Sequence, residues 1–255
     1  MVFQGIGESS VAQKEEFRRT GSWLFRWRSF LPLLTISLFL IAFENFTYPQ
    51  GSPTLDILWE IFCFTVSFLG LWIRAYTVGH TPKGTSGRGT RGQKADILNT
   101  TGMYSVVRHP LYIGNFLIWV GISSFMHSFF FSLTVILLFF LYYERIIFVE
   151  EDFLRERFGQ SFVEWAEKTP VFFPRFKNWQ KSALPFSLKT VLKREYSAFF
   201  LVIALFTSLE VIGDFYYKGK WQISWFYALL FFFGLVVYIT LRTLKKKGIL
   251  DVEGR

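Results

Sequence analysis

The chain has 255 residues, 51% hydrophobic and 21% aromatic, with 33 phenylalanines, a mean hydropathy of +0.32 and a formal net charge of +9. With only 18% charged residues, it fits neither an intrinsically disordered tail nor a nucleic-acid-binding domain, and its natural solvent is a bilayer. A single cysteine, Cys63, lies in an apolar stretch and excludes an intrachain disulfide or a cysteine-based metal cluster.

A helix that spans hydrocarbon needs about 20 mostly apolar residues, because its backbone polar groups must be satisfied within the segment. Six stretches approach that length: Phe30 to Tyr48, Leu55 to Val78, Leu111 to Met126, Phe129 to Val149, Ala198 to Tyr216 and Trp221 to Leu241. The expected fold is therefore all-α, a polytopic membrane helix bundle of about six transmembrane helices. The first thirty residues lack the short apolar run and small-residue cleavage site of a signal peptide, so the first span is expected to be retained.

Lys and Arg are distributed unevenly between the two sides. One side receives Lys14, Arg18, Arg19, Arg26 and Arg28, then Lys83, Arg88, Arg91, Lys94 and Arg108. Ten more from Arg145 to Arg194 follow, with Arg242, Lys245, Lys246, Lys247 and Arg255 in the tail. The other side has Lys218 and Lys220, and Arg74 lies inside the second span. Positive charge stays in the cytoplasm, so both termini and both long connections, 79–108 and 150–196, are expected there. Long loops carry function disproportionately, so a water-soluble co-substrate should arrive from the cytosol.

The first long connection contains Lys83-Gly84-Thr85-Ser86-Gly87-Arg88-Gly89-Thr90-Arg91-Gly92-Gln93-Lys94. Glycines permit close backbone approach, hydroxyls donate hydrogen bonds and arginines offer a charged fork, so such a loop can wrap an anion. It lacks the spacing of a Walker loop, and a flexible loop drawn to anionic headgroups has the same composition.

Where this connection re-enters the membrane stands Tyr104-Ser105-Val106-Val107-Arg108-His109-Pro110-Leu111-Tyr112-Ile113-Gly114-Asn115. Pro110 biases His109 away from helical geometry and suits the first turn of the next span, which sets Arg108 and His109 at a helix N-terminus at headgroup depth. Past the fourth span come Glu144, Arg145, Glu150 and Glu151. Charges there are costly unless paired or facing a wet cavity. Leu154, Phe158, Phe162 and Trp165 then recur at three or four residues, predicting an interfacial amphipathic helix, interrupted near Gly159, on the cytoplasmic side. Arg74, four residues after Gly70, either snorkels or meets an anionic headgroup.

The string Arg108-His109-Pro110-x-Tyr112-x-Gly114, followed by Glu150-Glu151-x-x-Leu154-x-x-x-Phe158-Gly159-x-x-Phe162-x-x-Trp165 and Pro170-x-x-x-Pro174, resembles the integral-membrane methyltransferases. That family includes isoprenylcysteine carboxyl methyltransferases and phospholipid N-methyltransferases. The resemblance divides the single membrane domain into an N-terminal arm with the first spans (1–69), a methyltransferase-like core with the cofactor site (70–174) and a C-terminal helical hairpin (175–255). It implies S-adenosylmethionine as cofactor, in contact with Gln93, Asp96, Ile97, Leu98, Asn99, Tyr104, His109, Pro110, Leu111, Tyr112 and Glu150. Catalytic roles would fall to His109 and Arg145, and substrate binding to Arg74, Lys83, Arg88, Arg91, Arg108 and Arg145. Family members usually carry Tyr where Phe162 and Trp165 stand, and the arginine before the glutamate pair is displaced here by about one residue.

Methyl transfer is an in-line displacement, in which an anionic oxygen needs no general base whereas an amine, arriving as an ammonium, does. The cations named above therefore favour a phosphate or carboxylate acceptor. The Gly-Thr-Ser-Gly-Arg loop with its Leu-Asn-Thr-Thr-Gly lead-in is most similar to bacterial enzymes that methylate a phosphate of lipid A, which implies an inner-membrane location. The expected partners are an anionic lipid substrate and the bilayer, with no nucleic acid and no metal. Isoprenylcysteine-type carboxyl methylation, phosphatidylethanolamine N-methylation and NADPH-dependent sterol or enone reduction are the alternatives.

Overall fold

The computed structural model describes residues 4–28, 38–39, 42–43, 53–85 and 95–255. Among them every regular element is helical: α1 (Gln4–Trp27), α2 (Pro53–Gly79), α3 (Met103–Val106), α4 (Pro110–Ser124), α5 (Phe129–Phe158), α6 (Gln160–Lys168), a 3₁₀ turn (Phe176–Asn178), α7 (Leu188–Lys218) and α8 (Trp225–Lys246). The bundle is the polytopic helical assembly that the apolar runs require.

Local chemistry fixes the helix starts. Ser128, Ser187 and Ser224 stand before α5, α7 and α8, and each hydroxyl accepts from the N–H three residues on. That satisfies one of the backbone donors a helix leaves open at its N-terminus. Pro110 occupies the first turn of α4, with His109 before it outside helical geometry at φ −124° and ψ 63°. Gly219, left-handed at φ 68°, closes α7.

Among the described residues, four helices are long and apolar enough to cross a membrane: Leu55–Gly79, Phe129–Phe158, Leu188–Tyr217 and Trp225–Lys246. The third expected span is shorter than a crossing. With 15 residues, α4 rises about 22 Å against a hydrocarbon core of about 30 Å. A tight turn through His127, at φ 53°, leads from it to the cap of α5. The first expected span lies outside the described residues except at 38–39 and 42–43, where Phe39 and Phe43 are buried in the core.

Two helices extend beyond the apolar runs that announced them. α5 continues to Phe158, about 45 Å in all, so the glutamate pair rides on a helix projecting past the hydrocarbon. α7 begins at Leu188 rather than near residue 198. The expected interfacial helix is divided at Gly159 between the last turns of α5 and α6.

Helix α4 packs between α2 and α5, α7 lies behind α2, α8 packs on α7 and α1 runs along α5. A Cβ at Gly70 would lie 2.4 Å from the Gly114 carbonyl oxygen, and one at Gly121 would lie 2.5 Å from the Cys63 carbonyl. Such close backbone approach drives helix association in lipid, where burying apolar surface gains little. The aromatic centre gathers Phe43, Phe125, Phe206 and Tyr227, with Phe64 stacked on Phe206 at 4.2 Å. Phe226, Leu229, Phe232, Phe233 and Val236 on α8 face outward, a surface suited to hydrocarbon.

Candidate active site

At the end of the bundle carrying the long connections, two chain segments are laced together by backbone bonds. The Gly102 N–H donates to the Gln180 carbonyl at 3.0 Å, Arg108 to Pro170 at 2.9 Å and Arg175 to Val106 at 2.9 Å. The Trp165 indole adds a bond to the Tyr104 carbonyl at 2.9 Å. The turn before α4 is thereby held against α6 and the chain that follows it.

Beneath this slab lies a cavity of about 320 Å³, within the range of small-molecule sites. The stretch Arg108 to Tyr112 forms one wall and Glu150, Phe153 and Leu154 of α5 another. Thr85, Ala95, Ile97, Leu98 and Asn99 come from the connection, and Phe25 and Arg28 from the end of α1. Arg74, Asn115 and Tyr143 lie at the membrane side, and Tyr104 and Trp165 complete the lining.

Its charges are arranged in pairs. Arg108 Nη1 donates to Glu151 Oε2 at 2.8 Å, while His109 Nε2 lies 3.0 Å from Glu151 Oε1. Nδ1 of the same ring is 3.6 Å from Glu150 Oε2, and Arg28 Nη1 is 3.6 Å from Glu150 Oε1. Deeper in, Arg74 forks onto Glu195 of α7, with Nε to Oε2 at 2.8 Å and Nη2 to Oε1 at 3.2 Å. Its remaining Nη1 donates to Asn115, whose amide donates to the Tyr143 hydroxyl at 2.8 Å. Glycine makes room for this network, since a Cβ at Gly114 would lie 2.5 Å from Arg74 Cγ. Aromatic faces line the same side: Tyr112 stacks on His109 with centroids 5.4 Å apart and meets Tyr143 at 4.5 Å.

Of the residues expected to touch a cofactor, Ile97, Leu98, Asn99, Tyr104, His109, Pro110, Leu111, Tyr112 and Glu150 all line this cavity. Asp96 is bound to the adjacent turn, its N–H donating to the Gly84 carbonyl at 2.9 Å, and is not among the lining residues. Of the expected substrate cations, Arg74 and Arg108 line the cavity. Lys83 lies outside the lining, with its N–H on the Gly254 carbonyl. Arg145 faces α1, donating to Thr20 Oγ1 at 2.9 Å and covering the Phe17 ring at 4.6 Å. Gln93, Arg88 and Arg91 lie outside the described residues.

Sequence reasoning missed Arg28, Asn115, Tyr143 and Glu195. Tyr143 carried a signal, because it precedes Glu150 by seven residues, two helical turns, and so shares its face. The others meet their partners only through tertiary packing.

The carboxylate, aromatic faces and guanidinium groups that line this cavity are the kinds of group S-adenosylmethionine would require. That molecule carries a sulfonium, an ammonium and a carboxylate.

Residues 59–161 match the phospholipid methyltransferase family. The chain is 40% identical over 84 residues to the cobalt-zinc-cadmium resistance protein CzcN of Cupriavidus metallidurans, an alignment covering 33% of this chain and 38% of that protein. It is also 40% identical over 84 residues to the nickel-cobalt-cadmium resistance protein NccN of Alcaligenes xylosoxydans xylosoxydans, covering 33% and 39%. It is 31% identical over 85 residues to protein-S-isoprenylcysteine O-methyltransferase of Schizosaccharomyces pombe, covering 33% and 36%. The chain thus spans less than two fifths of the length of each of these relatives. No solved structure matches it. Residues 59–161, which build most of the cavity wall, are thus the part of the chain that is similar to the phospholipid methyltransferase family.

Proposed function

We propose that the protein is an S-adenosylmethionine-dependent methyltransferase of a bacterial inner membrane that methylates an anionic oxygen of a lipid, with a phosphate of lipid A as the acceptor. Both termini and the cavity mouth face the cytoplasm, where the excess of Lys and Arg belongs. The observation that carries this reading is the convergence of Arg108 to Tyr112, Ile97 to Asn99 and Glu150 on one cavity that guanidinium groups also line.

When bound, the cofactor supplies an electrophilic methyl group. Glu150 would hold its ammonium, Tyr104 and Tyr112 would pack on its cationic and aromatic parts, and Ile97 to Asn99 would cover it. The chain's own task is alignment and exclusion of water, the two effects that dominate a displacement at carbon. Trp165, Phe153 and Leu154 line the cavity with apolar surface, and Arg74 with its Asn115 and Tyr143 partners would set the polar floor on which an anionic headgroup rests. An acceptor that is already an anion gives up no proton, so His109 and the carboxylates around it serve binding and orientation.

A carboxylate acceptor is the second reading, favoured by the likeness to an isoprenylcysteine O-methyltransferase. The cavity's cations suit either oxygen anion.

Calorimetric titration of the purified protein with S-adenosylhomocysteine, with NADPH in parallel, tests the cofactor. Saturable binding of the first alone is expected; binding of NADPH alone would reassign the cavity to a reductase. Glu150→Gln and His109→Ala should each abolish S-adenosylhomocysteine binding in protein that remains folded in detergent, and normal affinity in both would refute the assignment. Lipid A from cells expressing the protein should gain one methylene by mass spectrometry.

A further inference from the structure

Arg255 counts towards the basic excess of one side of the membrane, and it also has a specific place in the fold. Its Nη1 donates to the Gly79 carbonyl at 2.7 Å and its Nη2 to the Pro185 carbonyl at 2.5 Å. Gly79 ends α2, whose own last turn carries no basic residue, so Arg255 supplies the cation that a helix C-terminus favours. The same carbonyl accepts from the Ser187 N–H at 2.9 Å, which engages both of its lone pairs. One guanidinium thereby ties the end of α2 to the chain that enters α7. The segment bearing it is itself held. Gly248, left-handed at φ 72°, reverses the chain after α8, with the Ile249 N–H on the Leu244 carbonyl at 3.1 Å. Leu250 is buried, and Asp251 meets Lys193 of α7 at 2.6 Å.

From this anchor a run of backbone bonds leads to the cavity. The Lys83 N–H donates to the Gly254 carbonyl at 2.9 Å, and the Asp96 N–H to the Gly84 carbonyl at 2.9 Å. Gly84 is left-handed at φ 81°, and a Cβ there would lie 2.5 Å from Asp96 Oδ2, so this close approach requires glycine. Thr85 and Ala95, next to the second bond, line the cavity, and Ile97, Leu98 and Asn99 continue its wall. We infer that Arg255 is a positioning residue for the binding site: it is not among the residues that line the cavity, and it fixes the wall formed by Thr85 and Ala95 to Asn99 where that wall meets the ligand. That the ligand is the cofactor rests on the methyltransferase reading above. Arg255 lies outside the segment matched to the family, 59–161, so the inference assigns part of the site's geometry to a residue beyond it.

The test uses the full chain in a neutral maltoside detergent and compares the wild type with Arg255→Ala and Arg255→Lys. Amide hydrogen exchange, read by mass spectrometry without ligand, reports on the two walls separately. In Arg255→Ala, peptides covering 95–101 should exchange about tenfold faster, while those covering 108–112 on the opposite wall keep the wild-type rate. S-adenosylhomocysteine should bind about tenfold more weakly to this variant, with a melting temperature close to the wild type's. Arg255→Lys keeps the charge at the end of α2 and can reach one carbonyl but not both, so it should recover part of the affinity and part of the protection. Loosening confined to one wall is a signature that general destabilisation does not produce. Wild-type exchange at 95–101 in Arg255→Ala, equal loosening of both walls, or undiminished affinity would each overturn the inference while leaving the cofactor reading standing. A wild type that binds no S-adenosylhomocysteine would overturn that reading, and the claim on its affinity with it.

Discussion

Glu151 engages two basic groups of the cavity at once, Arg108 at 2.8 Å and the His109 ring at 3.0 Å. It orients the wall that Glu150 faces without lining the cavity itself. Glu151→Gln should therefore weaken S-adenosylhomocysteine binding about tenfold, the cost of one charge-assisted bond, where Glu150→Gln removes it; calorimetry on the two variants side by side reads the difference. Arg74 and Glu195 pose a different problem, since their side chains are only 16% and 7% exposed. Glu195→Gln leaves a buried guanidinium without its counter-charge, at a cost of about 3–5 kcal/mol, whereas replacing both residues by Met should recover most of the loss. Thermal unfolding in detergent distinguishes the two. At the opposite end of the bundle, burial pushes the His127 imidazole down to about 4, outweighing the Asp56 carboxylate 3.2 Å away. A depressed histidine contributes stability that is whole above its unfolded value near 6.5 and disappears as pH falls towards 4. Unfolding temperature should decline through that window in the wild type and less steeply in His127→Asn. Arg108, His109 and the glutamates were legible in the sequence because each group is contiguous. Glu195 and Arg28 were not, because nothing local marks a charge whose partner lies on another helix.

Among the elements, α2 and α4 depend on absent side chains. Gly114 admits both the Gly70 carbonyl and the Arg74 stem, with a Cβ falling 2.7 and 2.5 Å from them. Gly114→Val should separate the two helices and pull Arg74 off Glu195, so that the variant unfolds at lower temperature and its S-adenosylhomocysteine affinity falls with it. Gly159 is different in kind. It has φ 55° and ψ −127°, with nothing within 4 Å of a Cβ, so its substitution costs backbone strain alone, in the range of 1–3 kcal/mol. The apolar periodicity that revealed the spans could not reveal α1, whose hold on α5 combines ion pairs, one closely packed glycine and the Phe17–Phe148 ring pair. Nor could it set the ends of α5 and α7, because a helix continues past the hydrocarbon wherever polar residues still favour it.

For the molecule as a whole, apolar composition was enough to give the class of fold, and run length gave the four full-length helices. The third run, Leu111 to Met126, is matched by the 15-residue α4, a helix shorter than a full crossing. Orientation can be read with cysteine labelling on a Cys63→Ala background. A cysteine placed at Lys181, in the second long connection, should react with a membrane-impermeant maleimide only in inverted vesicles. Labelling in right-side-out cells would reverse the topology. The cavity is composite in a way that bears on inheritance. The residues matched to the phospholipid methyltransferases supply the turn at His109 and the glutamates of α5, whereas Phe25 and Arg28 come from before that segment, Trp165 from after it, and so does Glu195, which holds Arg74. On the methyltransferase reading proposed above, chimaeras that trade the first 58 residues, which bring Phe25 and Arg28 to the cavity, should change their choice of acceptor before they lose turnover.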